Sequence, residues 1–216
     1  MRFIEKGPEP ESLRAWKLSG VRVGNDAWAP TYETLQNPEK GDVKRSLIAE
    51  QRGVCCYCEQ RLVEADSHIE HLEPQSSPRG KTMTVDYGNL LCSCLREKDP
   101  GKPYCCGQAR GDWNGPDFIR PLEPDCAAHF AYGSDGSILP SDKNDRRAIE
   151  TIDHLKLSDY LLTQMRKKAL DAFFDAAVDL DPTEQHTLAS AFALPNQDGV
   201  FDPGFPTLFE YLFLRN

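Results

Sequence analysis

CCYCEQRLVEADSHIEH, residues 55–71, packs three cysteines and two histidines into seventeen positions, and its reading decides the fold. Cys55-x-x-Cys58 is a metal half-site, because two intervening residues let both sulfurs reach one tetrahedral ion. The other half must come from Cys92, Cys94, Cys105 and Cys106. Four thiolates complete a structural zinc, which takes no fifth ligand. His68, Glu70 and His71 are then left over, unless one histidine replaces a cysteine in a mixed site.

The rest of the chain sets the frame. Its 216 residues suffice for one medium domain or two small ones. The 39% hydrophobic and 27% charged content fits a globular protein, with no apolar run long enough to cross a bilayer. MRFIEKGPEPE, at the start, carries charges where a secretory signal needs an apolar segment. A cytoplasmic location is expected, where thiols stay reduced. Seven of the eight cysteines fall between Cys55 and Cys106, so they read as metal ligands before disulfides. The net charge of −9 argues against a protein gripping nucleic acid over its whole surface. Most of the excess acid lies in residues 121–216, with sixteen acidic and eight basic side chains, so the cysteine region can still meet a polyanion.

The expected fold class is α+β, mainly helical. Residues 1–41 read as an N-terminal arm that could contact a partner, with Trp16, Trp28 and a strand-like VRVG at 21–24. DVKRSLIAEQR at 42–52 is a helix by the spacing of Val43, Leu47 and Ile48, stopped at Gly53. Short strands are expected at 61–63 and 67–72, a loop at 76–81, and a return strand over 82–92. The cysteine core runs from 42 to 120, and a helical region fills 121–216. There, helices are marked by Ala148, Ile149, Ile152 and Leu155, and by Leu161, Leu162, Met165, Ala169, Phe173 and Ala177 behind a cap at Ser158. DPTE at 181–184 opens a third helix and PTLFEYLFL at 206–214 a fourth.

A carboxylate beside an imidazole is the equipment of phosphodiester hydrolysis. The carboxylate holds a divalent cation against the phosphate, and the neutral imidazole takes a proton from the attacking water. On a regular strand His68 and Glu70 share a face and His71 points away. Both Glu70 and His71 reach one phosphate only if the strand ends there, as Pro74 suggests.

The order Glu-His, then Asn, then Cys with a downstream Cys and a basic residue resembles the HNH endonucleases over residues 54–112. The segments GVCCYCE, HIEHLEP, YGNLLCSC, CCGQARGD and AIETIDHLKLSDYLL resemble the HNH nuclease subunit of Septu-type and retron-associated anti-phage systems, over about 40–160. The opening MRFIEKGPEP is similar as well. The resemblance implies a ββα-metal core braced by a zinc knuckle of Cys55, Cys58, Cys94 and Cys106. It implies Glu70 as ligand of a catalytic Mg²⁺ or Mn²⁺, His71 as general base and Asn89 as the residue that fixes the hairpin. It departs at the last catalytic ligand, where this chain has Cys105. Asp112, Gln108 or His68 could serve instead, although Mg²⁺ prefers oxygen to sulfur. Arg79, Lys81, Arg96, Lys98, Lys102 and Arg110 are candidate phosphate contacts. The expected partners are DNA, an ABC/SMC-type ATPase and a second copy of the chain, the last two docking on the apolar end FPTLFEYLFL. No membrane is expected. A zinc-stabilised module that binds nucleic acid or protein without cutting is the rival reading. His129, His154 and His186 are expected to be packing or surface residues.

Overall fold

A two-stranded antiparallel hairpin of β1 (Ser67–His71) and β2 (Leu90–Cys94) lies at the centre, with Ile69 opposite Cys92 and His71 opposite Leu90. The computed structural model describes residues 1–20, 30–95 and 97–215. The expected VRVG strand, Trp28 and the candidate phosphate contact Arg96 lie outside them.

Alternation along the strands divides the hairpin's neighbours. Ile69, Leu90 and Cys92 bury against Leu13 of α1 (Glu11–Leu18) and against Val43 and Leu47 of α2 (Glu39–Glu50). Leu91, on the alternate face, belongs instead to the larger core with Tyr57, the cysteine cluster and the C-terminal helices, which Cys94 joins at the end of the strand. The first turn of α2 carries Glu39 and Asp42, which suits the positive end of its dipole.

The return strand is shorter than the sequence suggests. Residues 83–86 form turns between two 3-10 turns, Gly80–Thr82 and Tyr87–Asn89, with Asp86 accepting from the Gly88 N–H. Pairing begins only at Leu90. Residues 61–63 form no strand, although Arg61 makes an isolated bridge to Val54.

After α3 (Cys106–Arg110) comes a second small hairpin, β3 (Phe130–Tyr132) and β4 (Ile138–Pro140). Four helical elements follow: α4 (Arg146–His154), α5 (Tyr160–Ala177), α6 (Pro182–Ala193) and α7 (Pro206–Phe209), the last continuing as a π turn over Glu210–Leu214. Asp145, Asp159 and Asp181 cap α4, α5 and α6 with their carboxylates. The cap of α5 is therefore one residue past the expected Ser158. At α6 the Glu184 side chain returns to the backbone of Asp181 and completes a capping box.

The buried stripe of α5 contains Leu162, Arg166, Ala169, Leu170, Phe173 and Ala177, whereas Leu161 and Met165 are exposed. Arg166 sits at 1% exposure because its guanidinium donates to the carbonyls of Leu157 (2.7 Å) and Gly136 (3.2 Å). Gly136 has φ +83°, and a Cβ there would lie 2.5 Å from the Thr163 carbonyl, so only glycine fits.

The apolar end packs along one side on the chain's own core. Phe205, Leu208 and Phe209 are buried, and Tyr211, Leu212, Phe213 and Leu214 pack against the same core. Phe173 gathers Phe192, Phe209 and Phe213 around it at centroid distances of 5.6, 5.8 and 4.4 Å. A fully buried ring of this kind contributes roughly 1.5–3 kcal/mol. Among the described residues no helix is long and apolar enough to cross a membrane.

Candidate metal centre and hydrolytic site

Four sulfurs from three separate pieces of chain meet beside the central hairpin. Cys55 and Cys58 come from the knuckle after α2, Cys94 from the end of β2, and Cys106 from the first position of α3. All are buried, and their Sγ atoms lie within 4.8 Å of one another. A tetrahedral ion with metal–sulfur bonds of about 2.3 Å needs sulfurs about 3.8 Å apart. Cys58 and Cys94 are separated by 3.8 Å. The donor set and its spacing therefore suit zinc. Burial opposes ionisation of Cys55, but hydrogen bonds from the Cys106, Cys56, Cys58 and Cys94 thiols outweigh it and hold this thiol well below its ordinary range.

Cys105, at the position where a catalytic ligand was expected, turns to the sulfurs instead, 3.5 Å from Cys106. Asp112 is exposed in the turn beyond α3. Gln108 lies within α3, and its carbonyl accepts from the Tyr104 hydroxyl.

Glu70 lies on the other side of the strand from His71, as alternation requires. Its Oε1 accepts from the Tyr57 hydroxyl at 3.0 Å and pairs with the Arg110 guanidinium at 2.7 Å, while Oε2 is 3.2 Å from His68 Nε2. Burial would raise its pKa, but the His68 hydrogen bond and the Arg110 charge reverse this and hold the carboxyl below its usual range.

Arg110, a candidate phosphate contact, is buried at 5% exposure and works inward. Besides Glu70, it donates to the carbonyls of Leu72 (3.0 Å), His71 (2.5 Å) and Trp113 (3.3 Å). It thus fastens the end of β1 to α3. Arg110→Ala should cost about 3–5 kcal/mol, because it leaves the buried Glu70 charge without its partner. Urea melts of the metal-loaded protein measure this.

The His71 ring sits in a backbone-defined cradle. Its Nε2–H donates to the Thr84 carbonyl at 2.9 Å, since a carbonyl only accepts, and the edge of Tyr32 packs on it with centroids 4.7 Å apart. That fixes the tautomer and leaves the Nδ1 lone pair facing Gln75 Nε2 at 3.5 Å. Burial lowers the imidazole pKa, so the ring is neutral at pH 7. Asn89 closes the intervening loop: its Oδ1 accepts from the Glu73 N–H (2.7 Å), and its Nδ2 donates to the carbonyls of Glu73 and Met83 (3.2 Å each).

A cleft of about 550 Å³ runs beside the strand, lined by Tyr32, Lys40, Lys44, Ser67 and His68 among others. Tyr32, Lys40, Lys44 and Tyr57 carry no local sequence signal that marks them as neighbours of the site. Arg79 and Lys81 are exposed on the loop after His71. Lys102 pairs with Asp66 at 2.7 Å, and Lys98 lies over the Tyr104 ring. His129 is bound to Asp145, His154 stacks on Trp113, and His186 borders an apolar cleft with Phe174 and Val178.

The chain is thus an α+β protein with a four-thiol cluster that could hold zinc and a Glu-His strand end beside it. No family model matches the sequence. A protein of Vibrio cholerae serotype O1 biovar El Tor, described as "Retron Vc95 putative HNH endonuclease", is 31% identical over 134 residues. Those residues make up 60% of this chain, which spans 63% of that protein's length. This relationship bears out the resemblance to HNH endonucleases, and to their retron-associated members, read from the motifs.

Proposed function

We propose that the protein is an HNH endonuclease with a ββα-metal core of β1, β2 and α3, hydrolysing DNA phosphodiester bonds with a divalent cation. The observation that carries this is His71: a neutral ring whose Nε2–H is committed to a carbonyl, leaving Nδ1 as a base one residue from the Glu70 carboxylate. Glu70 would hold the cation, Mg²⁺ or Mn²⁺, which supplies Lewis-acid stabilisation of charge on the phosphate and the leaving oxygen. His71 Nδ1 takes the proton from the attacking water. The Thr84 carbonyl keeps the ring oriented, Asn89 holds the loop bearing Thr84, and Arg110 keeps Glu70 ionised. Cys55, Cys58, Cys94 and Cys106 would hold zinc, which supplies shape alone. The name of the Vibrio relative supports a place in a retron, where the chain would act as nuclease effector in anti-phage defence beside an ABC/SMC-type ATPase in the cytoplasm.

One observation favours the rival module reading: Glu70 already has an internal cation in Arg110. The deciding experiment is conversion of supercoiled plasmid to nicked circles by the purified protein with Mg²⁺ or Mn²⁺. Failure with every divalent ion, alone and with an ATPase encoded beside it, would overturn the nuclease reading.

The pH profile offers a separate check. A base whose pKa lies below the ordinary 6.5 stays competent as pH falls through that value. Nicking should therefore fall, as the ring gains its proton, with a midpoint below 6.5. Rates across a pH series at saturating metal measure this, and a fall centred above 6.5 would contradict it.

A further inference from the structure

The cleft beside β1 is a bounded slot. One wall is the first half of α2, where Lys40 and Lys44 stand four positions apart and so share a helix face. The other wall is the start of β1, at Ser67 and Ile69. Lys40 lies over the Tyr32 ring, whose edge packs on His71, so this end leads to the imidazole. Just over one turn further along the helix, Arg45 pairs with Glu64 at 3.2 Å and ties α2 to the 3-10 turn before β1.

Charge in the slot is positive, although the chain as a whole carries −9. Glu64 is the acidic residue of the lining, and Arg45 answers it. Lys40 sits 4.1 Å from the Tyr32 ring centre, and Lys44 donates to the Ser67 carbonyl. Neither contact removes a charge, and an ammonium has three N–H groups, so each lysine can still donate to an anion. The contacts hold both cations over the slot instead of letting them trail into solvent.

Size selects among anions. The slot holds about 550 Å³, within the range of pockets that enclose small ligands. A duplex, whose major groove alone is about 12 Å wide, can only lay its outer phosphates across the rim. One strand can lie inside, with a base against Tyr32. We propose that this cleft is the track of an unpaired DNA strand, its phosphates held by Lys40 and Lys44. A cationic groove with an aromatic ring is how single strands are bound without regard to sequence. The inference rests on the nuclease reading and narrows its substrate. The plasmid assay still serves, since negative supercoiling favours strand opening.

The test is fluorescence anisotropy of a labelled oligothymidylate of about 12 nucleotides, a span that known single-strand grooves cover. The full, zinc-loaded chain is used without any other divalent ion, so binding is read without cutting. Wild type should bind this strand more tightly than a hairpin duplex. One phosphate contact contributes about 0.7 to the slope of log affinity against log salt, hence about fivefold at about 0.1 M salt. Lys40→Ala and Lys44→Ala should each lose that much, with zinc content unchanged, and Lys44→Arg should restore the charge and the binding. Lys143→Ala, exposed in the turn before α4, controls for bulk charge and should bind as wild type. Duplex bound as tightly as the single strand, no binding of either, or cleft variants no weaker than Lys143→Ala would overturn the assignment, while plasmid nicking would still decide the nuclease reading on its own. Selective single-strand binding by a protein that never nicks would uphold the cleft and sink the nuclease.

Discussion

Replacing His71 with alanine should leave a folded, zinc-loaded protein whose plasmid nicking falls about 10²- to 10⁴-fold, the usual contribution of a positioned general base. The side chain bonds to the Thr84 carbonyl, meets Gln75 Nε2 at 3.5 Å and packs against Tyr32. Its loss should cost about 1–3 kcal/mol of stability, as for an orphaned buried polar group. That is small beside the effect on rate, so the two can be separated. Rate and thermal melt measured on one preparation make the comparison. Undiminished nicking by His71→Ala would assign the proton transfer to another group.

The second large effect concerns the sulfurs. Structural zinc binds small domains with about 10–16 kcal/mol of apparent free energy, comparable to the roughly 5–15 kcal/mol that hold a whole domain together. Cys55→Ser or Cys106→Ala should therefore remove the metal and the cooperative unfolding transition of the core. Cys126 is the internal control. It too is buried, and burial pushes its thiol up to about 11, but it stands outside the cluster. Cys126→Ala should keep one zinc per chain. Elemental analysis with circular-dichroism melts reads both outcomes, and full zinc in the Cys55 variant would refute the four-sulfur assignment.

Much of the site was legible because its signals are local. The Cys55-x-x-Cys58 spacing marked a half-site, and the strand period placed His68 and Glu70 on one face with His71 on the other. The choice of Cys94 and Cys106 came from resemblance, and these two meet the first pair in space. What stayed hidden depends on contacts distant in sequence. Nothing near Arg110 foretells that it turns inward to carbonyls nearly forty residues earlier. Tyr57, bonded to Glu70, looks like any residue between two cysteines. On α5, apolar periodicity promoted Leu161 and Met165 to the core, because a buried arginine occupies part of the true inner stripe. The β3–β4 hairpin has three-residue strands, too short for alternation to register. The return strand is shorter than its alternation of Met83, Val85 and Tyr87 implies, because Asp86 and Asn89 divert that stretch into turns.

The five-residue helix α3 has a mechanical consequence. α3 starts at Cys106 and ends at Arg110, so one turn of backbone joins the sulfur centre to the guanidinium gripping the end of β1. That turn behaves as a strut anchored at the metal. A newly made chain awaiting zinc has the strut adrift and the carboxylate and imidazole unaligned, so in a DNA-cutting protein the blade is set last. A chelator would blunt it first.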